Sequence, residues 1–364
     1  MSRHYSPRVY IIVGVSLAAA IGFAFIWQVL GIYNGQNRPG ITYGMAVPDL
    51  VAEPENVQKM QLTHMKSIGI TSVRVDANWR SIQPLSPTTY DWKTLDREVD
   101  LIRFFGMSID LVIDDCPSWA ALPSVADDPF PQPASSNQYA TWAAAVVKRY
   151  APKGVEDYEI WNEPNLVRFW QPKPNPAAYA ADLIAAYKSI KEVDRTAFII
   201  SGGLARASSN GGNYSPISFL ASMYTHGIKG SFDALGYHPY SSPSTPDIFE
   251  TWSAWSQMAE TKPSIRSVMA KNDDSKTPIW ITEYGAPSSG PAGVGEQAQS
   301  ADISQALTYV KNVKWIGALY IYTWQDSPKD PSVDNWYGLL TANGSRKDAY
   351  FAVASALKGL IEAP

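Results

Sequence analysis

The chain has a single cysteine, Cys116, and only four histidines in 364 residues. One thiol excludes an intramolecular disulfide framework and any cysteine zinc cluster. Cys116 follows Asp114 and Asp115, whose charges disfavour a thiolate, so it reads as inert rather than nucleophilic. His4, His64, His226 and His238 show no paired spacing, and a histidine metal site is not expected. An excess of one charge is missing too. Thirty Lys plus Arg stand against 34 Asp plus Glu, a net charge of −4, which leaves no electrostatic footprint for nucleic acid. Charged residues are scarce at 18% while hydrophobic ones reach 45%, which excludes a disordered chain and supplies a large core. No internal repeat or low-complexity tract is evident.

What the sequence has in excess is large aromatics, 13 Trp and 20 Tyr. Each offers a flat apolar face with a polar tip, suited to sugar rings as well as to packing. It also has one long apolar run. No charge occurs between Arg8 and Arg38, and residues 9–33 are almost wholly apolar. As a helix they would reach about 38 Å at 1.5 Å per residue, against a hydrocarbon core of about 30 Å. The run is longer than the core of a cleaved signal peptide and ends without a small-residue cleavage site. The expectation is therefore a single transmembrane anchor over 9–33, with 1–8 as a cytoplasmic tail and 34–40 as a linker. Arg3 and Arg8 before the span, against Asp49, Glu53 and Glu55 after it, keep the tail inside and put the rest of the chain outside. Secretion after cleavage is the alternative.

From residue 41 to 364 short β-rich runs alternate with amphipathic stretches, eight times over. Strands are expected at 41–46, 70–76, 108–114, 155–161, 197–202, 233–238, 278–283 and 316–324. Helices are expected near 54–67, 91–105, 137–150, 176–193, 215–225, 247–271, 294–312 and 346–358. Several of the strands are continuous apolar runs, as strands covered on both faces should be. This alternation defines an α/β chain, a (β/α)8 TIM barrel, with the Pro-rich segment 117–133 as an insertion after the third strand. In such a barrel the working residues sit where strands end. Those ends carry Arg74 and Asp76, Asp114 and Asp115, Asn162 and Glu163, His238 and Tyr240, Glu283, and Trp324. Glu163 and Glu283, from the fourth and seventh strands, would face each other across the mouth. Two carboxylates so placed suit acetal cleavage, one protonated to aid the leaving oxygen and one ionised to attack or to activate water.

Trp161-Asn162-Glu163-Pro164 and Trp280-Ile281-Thr282-Glu283-Tyr284-Gly285 resemble the acid/base and nucleophile motifs of the clan A glycoside hydrolases. Within the clan the chain resembles bacterial enzymes of family 39 and family 5 over residues 41–357. Phe169-Trp170, Ser201-Gly202-Gly203 and the run from Phe232 to Tyr240 add to the likeness. The resemblance implies Glu163 as acid/base and Glu283 as nucleophile. Asn162 would bond the sugar 2-hydroxyl, Arg74 would hold the nucleophile ionised, and His238 and Tyr240 would complete the same shell. Trp324 would floor the sugar subsite, with the loop residues Trp119 and Trp170 as further candidates for stacking. Family 5 usually has a histidine near the end of strand 3, where this chain has Asp114 and Asp115, and that departure favours the family 39-like branch. The implied activity is retaining hydrolysis of β-linkages in a polysaccharide or oligosaccharide, without a cofactor. A transglycosylase using the same intermediate, a catalytically dead carbohydrate-binding barrel, and a membrane scaffold remain as alternatives.

Overall fold

The computed structural model describes residues 40–361, apart from 247–249, 251–252 and 329–332. Nine parallel strands form one curled sheet: β1 (Thr42–Ala46), β2 (Ser72–Asn78), β3 (Ser108–Asp114), β4 (Asp157–Ile160), β5 (Phe198–Ser201), β6 (Leu204–Ala205), β7 (Leu235–His238), β8 (Ile279–Tyr284) and β9 (Ile316–Tyr322). Their order is β5-β4-β3-β2-β1-β9-β8-β7-β6. The pieces β5 and β6 are separated only by Gly202-Gly203. Backbone bonds from Asp233 and Ala234 to Ile199 O, and from Ser201 to Ala234 O, tie β5 to the segment entering β7. The two edges of the sheet therefore meet, and the architecture is a TIM-barrel-like α/β fold.

Ten helices are described: α1 (Glu55–Ser67), α2 (Trp79–Ile82), α3 (Lys93–Phe104), α4 (Ser136–Tyr150), α5 (Pro176–Val193), α6 (Pro216–Thr225), α7 (Ala254–Ala259), α8 (Ile265–Lys271), α9 (Glu296–Asn312) and α10 (Asp348–Ile361). Their starts are chemically marked. Asn175 and Ser215 accept from the first-turn amides of α5 and α6, each followed by a proline whose missing N–H costs nothing there. The single helix expected over 247–271 is instead two among the described residues. Ser253 caps α7, Ser264 caps α8, and Pro263 between them has no N–H with which to continue a helix.

Strand alternation divides the core in two. Val73, Val75, Leu111, Ile113, Ile160, Leu235, Ile281 and Leu319 turn outward into the layer covered by helices. Ala46, Phe198, Ile200, Ala234, Trp280, Ala318 and Tyr320 form a second cluster inside the curled sheet. Gly44 makes room for it, because a Cβ there would come within 2.2 Å of the Tyr320 ring. The polar residues Ser72, Arg74, Asp110, Glu159, His238 and Thr282 are also buried, on β2, β3, β4, β7 and β8. No helix among the described residues is long and apolar enough to cross a membrane. The anchor expected at 9–33 lies outside the described residues.

Candidate active site

The site begins with Arg74, buried on β2. It donates through Nε to Glu159 Oε2 (2.6 Å), through Nη1 to Glu283 Oε1 (2.6 Å), and through Nη2 to Asn162 Oδ1 (3.0 Å). One guanidinium thus fixes side chains from the fourth and eighth strands, which only its planar fork of donors can do at once. Glu283 Oε2 accepts from the Tyr240 hydroxyl at 2.8 Å. Burial works to raise the Glu283 carboxyl, but His238, Arg74 and the tyrosine outweigh it and hold the group below its ordinary range.

Glu163 is treated in the opposite way. Its backbone is left-handed (φ 44°), as is that of Trp161 (φ 70°), so β4 stops at Ile160 and the chain turns sharply to present the carboxyl. Burial pushes its pKa up, only partly countered by His238. His238 Nδ1 lies 2.8 Å from Glu163 Oε1 and 3.8 Å from Glu283 Oε2, and its Nε2 lies 2.9 Å from Thr282 Oγ1. Thr282 gives its one hydroxyl proton to Glu159 Oε1 (3.1 Å), so it must accept from His238, which puts a proton on Nε2. Nδ1 and Glu163 then face each other across a single shared proton. Burial acts to lower the imidazole pKa, yet the charges of Glu283 and Glu163 raise it on balance. Gly203 permits this approach: a Cβ there would sit 2.1 Å from His238 Nε2. Gly203→Ala is expected to push the ring off Glu163 and lower kcat, with KM nearly unchanged. Unchanged kinetics would show that the ring can shift freely.

Oxygens of Glu163 and Glu283 and a ring nitrogen of His238 all lie within 4.8 Å of one another. Such a trio has the donor types of a metal site, but its atoms are already committed to Arg74, Tyr240 and each other. A cation would also meet the guanidinium of Arg74. Three acids stand near these strand ends: Asp76 within β2, Asp114 at the end of β3 and Asp115 just after it. Burial raises Asp114, takes Asp115 to about 6 and takes Asp76 to about 7. Asn78 donates to Asp115 Oδ2. Burial likewise pushes up the Cys116 thiol.

The structure brings together Arg74, Asn162, Glu163, His238, Tyr240 and Glu283. The three tryptophans expected to line the site are largely engaged in packing, and of them only Trp324 borders the cleft beside the pair. Trp324 is 2% exposed and packs near Tyr350 (6.0 Å between rings), two residues past the end of β9. Little of the indole is open, although the residue borders the cleft that Tyr322 also lines. Trp170 is fully buried between Trp161 and Tyr179. Trp119 is half-buried against the edge of Trp79, its Nε1 donating to Gln83 O (2.7 Å). Replacing Trp324 by alanine is therefore expected to cost about 3–5 kcal/mol of stability. Thermal unfolding checks this, and an unchanged Tm with a raised KM would return the residue to the sugar site.

The rings that do gather at the pair are tyrosines. Tyr322 and Tyr337 lie 6.4 and 5.6 Å from the Tyr240 ring, each nearly perpendicular to it. Tyr322 and Arg168 also line a cleft of about 910 Å³ whose other walls include Asp49, Trp324, Gln325 and Asp334. Glu159 and Thr282 complete the network. Reading alternate residues could have found both, since Arg74, Glu159 and Thr282 stand out as polar side chains in otherwise apolar strands.

Comparison with known proteins bears on the fold and the family. The sequence pattern of the family described as cellulase (glycosyl hydrolase family 5) matches residues 35–327. A family 39 glycoside hydrolase from Bacteroides cellulosilyticus WH2 superposes with a TM-score of 0.67 at 22% identity, over 90% of this chain and 65% of that one. A monomeric β-xylosidase from Caulobacter crescentus CB15 gives 0.65 at 18%, over 86% and 66%. A GH5_18 structure from Streptomyces cattleya, in complex with GlcNAc, gives 0.66 at 16%, over 90% and 82%. The chain thus spans just under two thirds of the length of the first two, and at these identities the likeness is one of fold. No curated protein matches the chain in sequence. Fold and family pattern together define a clan A glycoside hydrolase. The chain belongs to glycosyl hydrolase family 5.

Proposed function

We propose that the protein cleaves β-glycosidic bonds of an oligosaccharide or polysaccharide with retention of configuration, using Glu283 as nucleophile and Glu163 as acid/base. The observation that carries this reading is the opposite treatment of two carboxyls that lie within 4.8 Å. One is raised by burial and shares a proton with His238, while the other is lowered by Arg74, His238 and Tyr240. Retaining enzymes separate the two groups by about 5–5.5 Å, whereas inverting ones leave about 6.5–9.5 Å for a water. In the first step Glu283 bonds to the anomeric carbon as the C–O bond breaks, and Glu163 gives its proton to the departing oxygen. In the second, Glu163 takes a proton from water, the water oxygen bonds to the same carbon, and Glu283 leaves as a carboxylate. Asn162 turns Oδ1 toward Arg74, which leaves its amide N–H groups for a sugar hydroxyl.

Proton NMR of the first product anomer tests the stereochemistry, and a 2-deoxy-2-fluoro glycoside should label Glu283 alone. Inverted product, or a label on Asp114, Asp115 or Glu159, would overturn the assignment. Tyr322, half-buried at the junction of the pair and the cleft, takes the stacking role expected of Trp324. Tyr322→Ala should raise KM by about tenfold, the scale of one lost aromatic contact, and a KM that stays put would remove the ring from the subsite.

The anchor at 9–33 and an outward-facing enzyme belong to the same reading, supported by the uncharged run and the arginines that precede it. Membrane fractionation of the full chain should find the activity in the pellet and resistant to salt washing. Activity free in the medium would make the segment a cleaved signal.

A further inference from the structure

The site holds more acids than cations. Arg74 is divided between Glu159 and Glu283, and His238 answers Glu163. Asp76 and Asp114 have no such partner. Asp76 stands two residues past Arg74 on β2, so it faces the same side of the sheet one step nearer the strand end. It is partly exposed, and the charges of Arg74, Glu159 and Glu283 all act on it. Asp114, at the end of β3, is 8% exposed and lies in register with Asn78, two residues further along β2. Neither carboxylate accepts a hydrogen bond or joins an ion pair among the described residues. Of the two Asp114 oxygens only Oδ1 is wholly enclosed, which leaves Oδ2 open to a ligand.

The same imbalance continues in the cleft that Tyr322 lines. Asp49 is exposed and Glu53 partly so, and neither carboxylate has a partner among the described residues. Arg168, the one Lys or Arg among the described lining residues, is bonded to Asp334 (2.7 Å), and Asp326 is matched by the buried Lys347 (2.8 Å). Asp49 and Glu53 are therefore acids in surplus, as Asp76 and Asp114 are. A metal ion does not account for them. Among the described residues, ligand atoms of three acids or histidines come within 4.8 Å of one another only at Glu163, His238 and Glu283. The unpartnered acids are spread out instead, as an extended ligand with several positive charges requires.

We propose that the glycan this enzyme cleaves carries free amino groups, as de-N-acetylated amino sugars do, and that Asp76, Asp114, Asp49 and Glu53 bind its ammonium groups. The proposal rests on the glycosidase reading. A hydroxyl can donate one bond to a carboxylate but brings no charge, whereas an ammonium brings three donors and a full charge, and such charge-assisted bonds are about twice as strong. Burial takes Asp76 to about 7 and raises Asp114, and a cation beside them favours their ionised forms. A uronate would reach Arg168 only by displacing Asp334, and would face the four surplus acids. Asn162 turns its amide donors to the sugar and suits a 2-hydroxyl, so the ammonium groups belong to sugars flanking the one that is cleaved.

The test is calorimetric titration of the full-length Glu283→Ala protein with the β-1,4 hexamers of glucosamine, glucose and N-acetylglucosamine, in mildly acidic buffer that keeps the amine charged. The glucosamine hexamer should bind about tenfold or more tighter than the other two, and added salt should erode the difference. Asp76→Asn and Asp114→Asn should each weaken it several-fold. Asp49→Asn should do the same from an exposed position, which guards against a buried variant that does not fold. Asp273→Asn, at an acid 91% exposed and outside the cleft, should change nothing. No preference for the glucosamine hexamer would overturn the proposal, while hydrolysis of p-nitrophenyl β-glycosides by the protein retaining Glu283 keeps the glycosidase reading intact. A preference that Asp273→Asn weakens as much as Asp114→Asn would be general attraction to an acidic surface and would overturn it as well. No preference and no hydrolysis together would remove both readings.

Discussion

Glu283→Ala is expected to abolish turnover on every substrate, by a factor on the order of 10⁵ or more, because no other group is placed to bond to the anomeric carbon. A better leaving group should not help, since the step that fails is formation of the glycosyl-enzyme itself. Added azide could react only by direct displacement, and any glycosyl azide should carry the inverted α configuration. The fold should survive, because Arg74 keeps its bonds to Glu159 and Asn162. Circular dichroism checks the fold and product NMR the anomer. Residual activity within a hundredfold of wild type would assign nucleophilic attack to another residue.

Glu163→Ala should fail differently. Substrates with poor leaving groups should slow by about 10²–10⁴, the usual contribution of a positioned general acid. An aryl glycoside whose phenolate leaves unaided should still form the glycosyl-enzyme and then stall, for want of a base to activate water. Azide, which needs no base, should release it as the β-glycosyl azide. The pH profile separates the two carboxyls further. The nucleophile must be ionised, so kcat/KM rises through the lowered pKa of Glu283 as pH increases, and it falls again as Glu163, raised by burial, loses its proton. In Glu163→Ala the alkaline limb should disappear while the acid limb stays. Loss of the acid limb instead would reverse the two roles.

The strand ends were the most legible part of the sequence. Trp161 to Pro164 and Trp280 to Gly285 follow apolar strands at the right places in the alternation, and His238 and Tyr240 stand at the end of another, while Arg74 lies within β2. The structure gathers these groups within hydrogen-bonding reach of one another. How open Trp324 is to the cleft it borders was not legible, because alternation does not say where a strand stops. Tyr322 and Trp324 have the same parity, but Tyr322 pairs with Ala46, the last residue of β1, and the sheet ends there. The stretch 247–271 read as one helix because apolar spacing continues through it, although Pro263 was a legible break.

Arg74 lies between two acids, and that doubling matters midway through the proposed reaction. Once Glu283 carries the sugar it is an ester and no longer a counter-charge. With one partner only, the guanidinium would then be a lone cation out of reach of water, a state proteins avoid at a cost of several kcal/mol. Glu159, at 2.6 Å from Nε, keeps it neutralised. The enzyme thus holds a standing anion that never touches substrate but evens the electrostatic level of the free and glycosylated states, so that the intermediate is no trap and its hydrolysis starts from balanced charge.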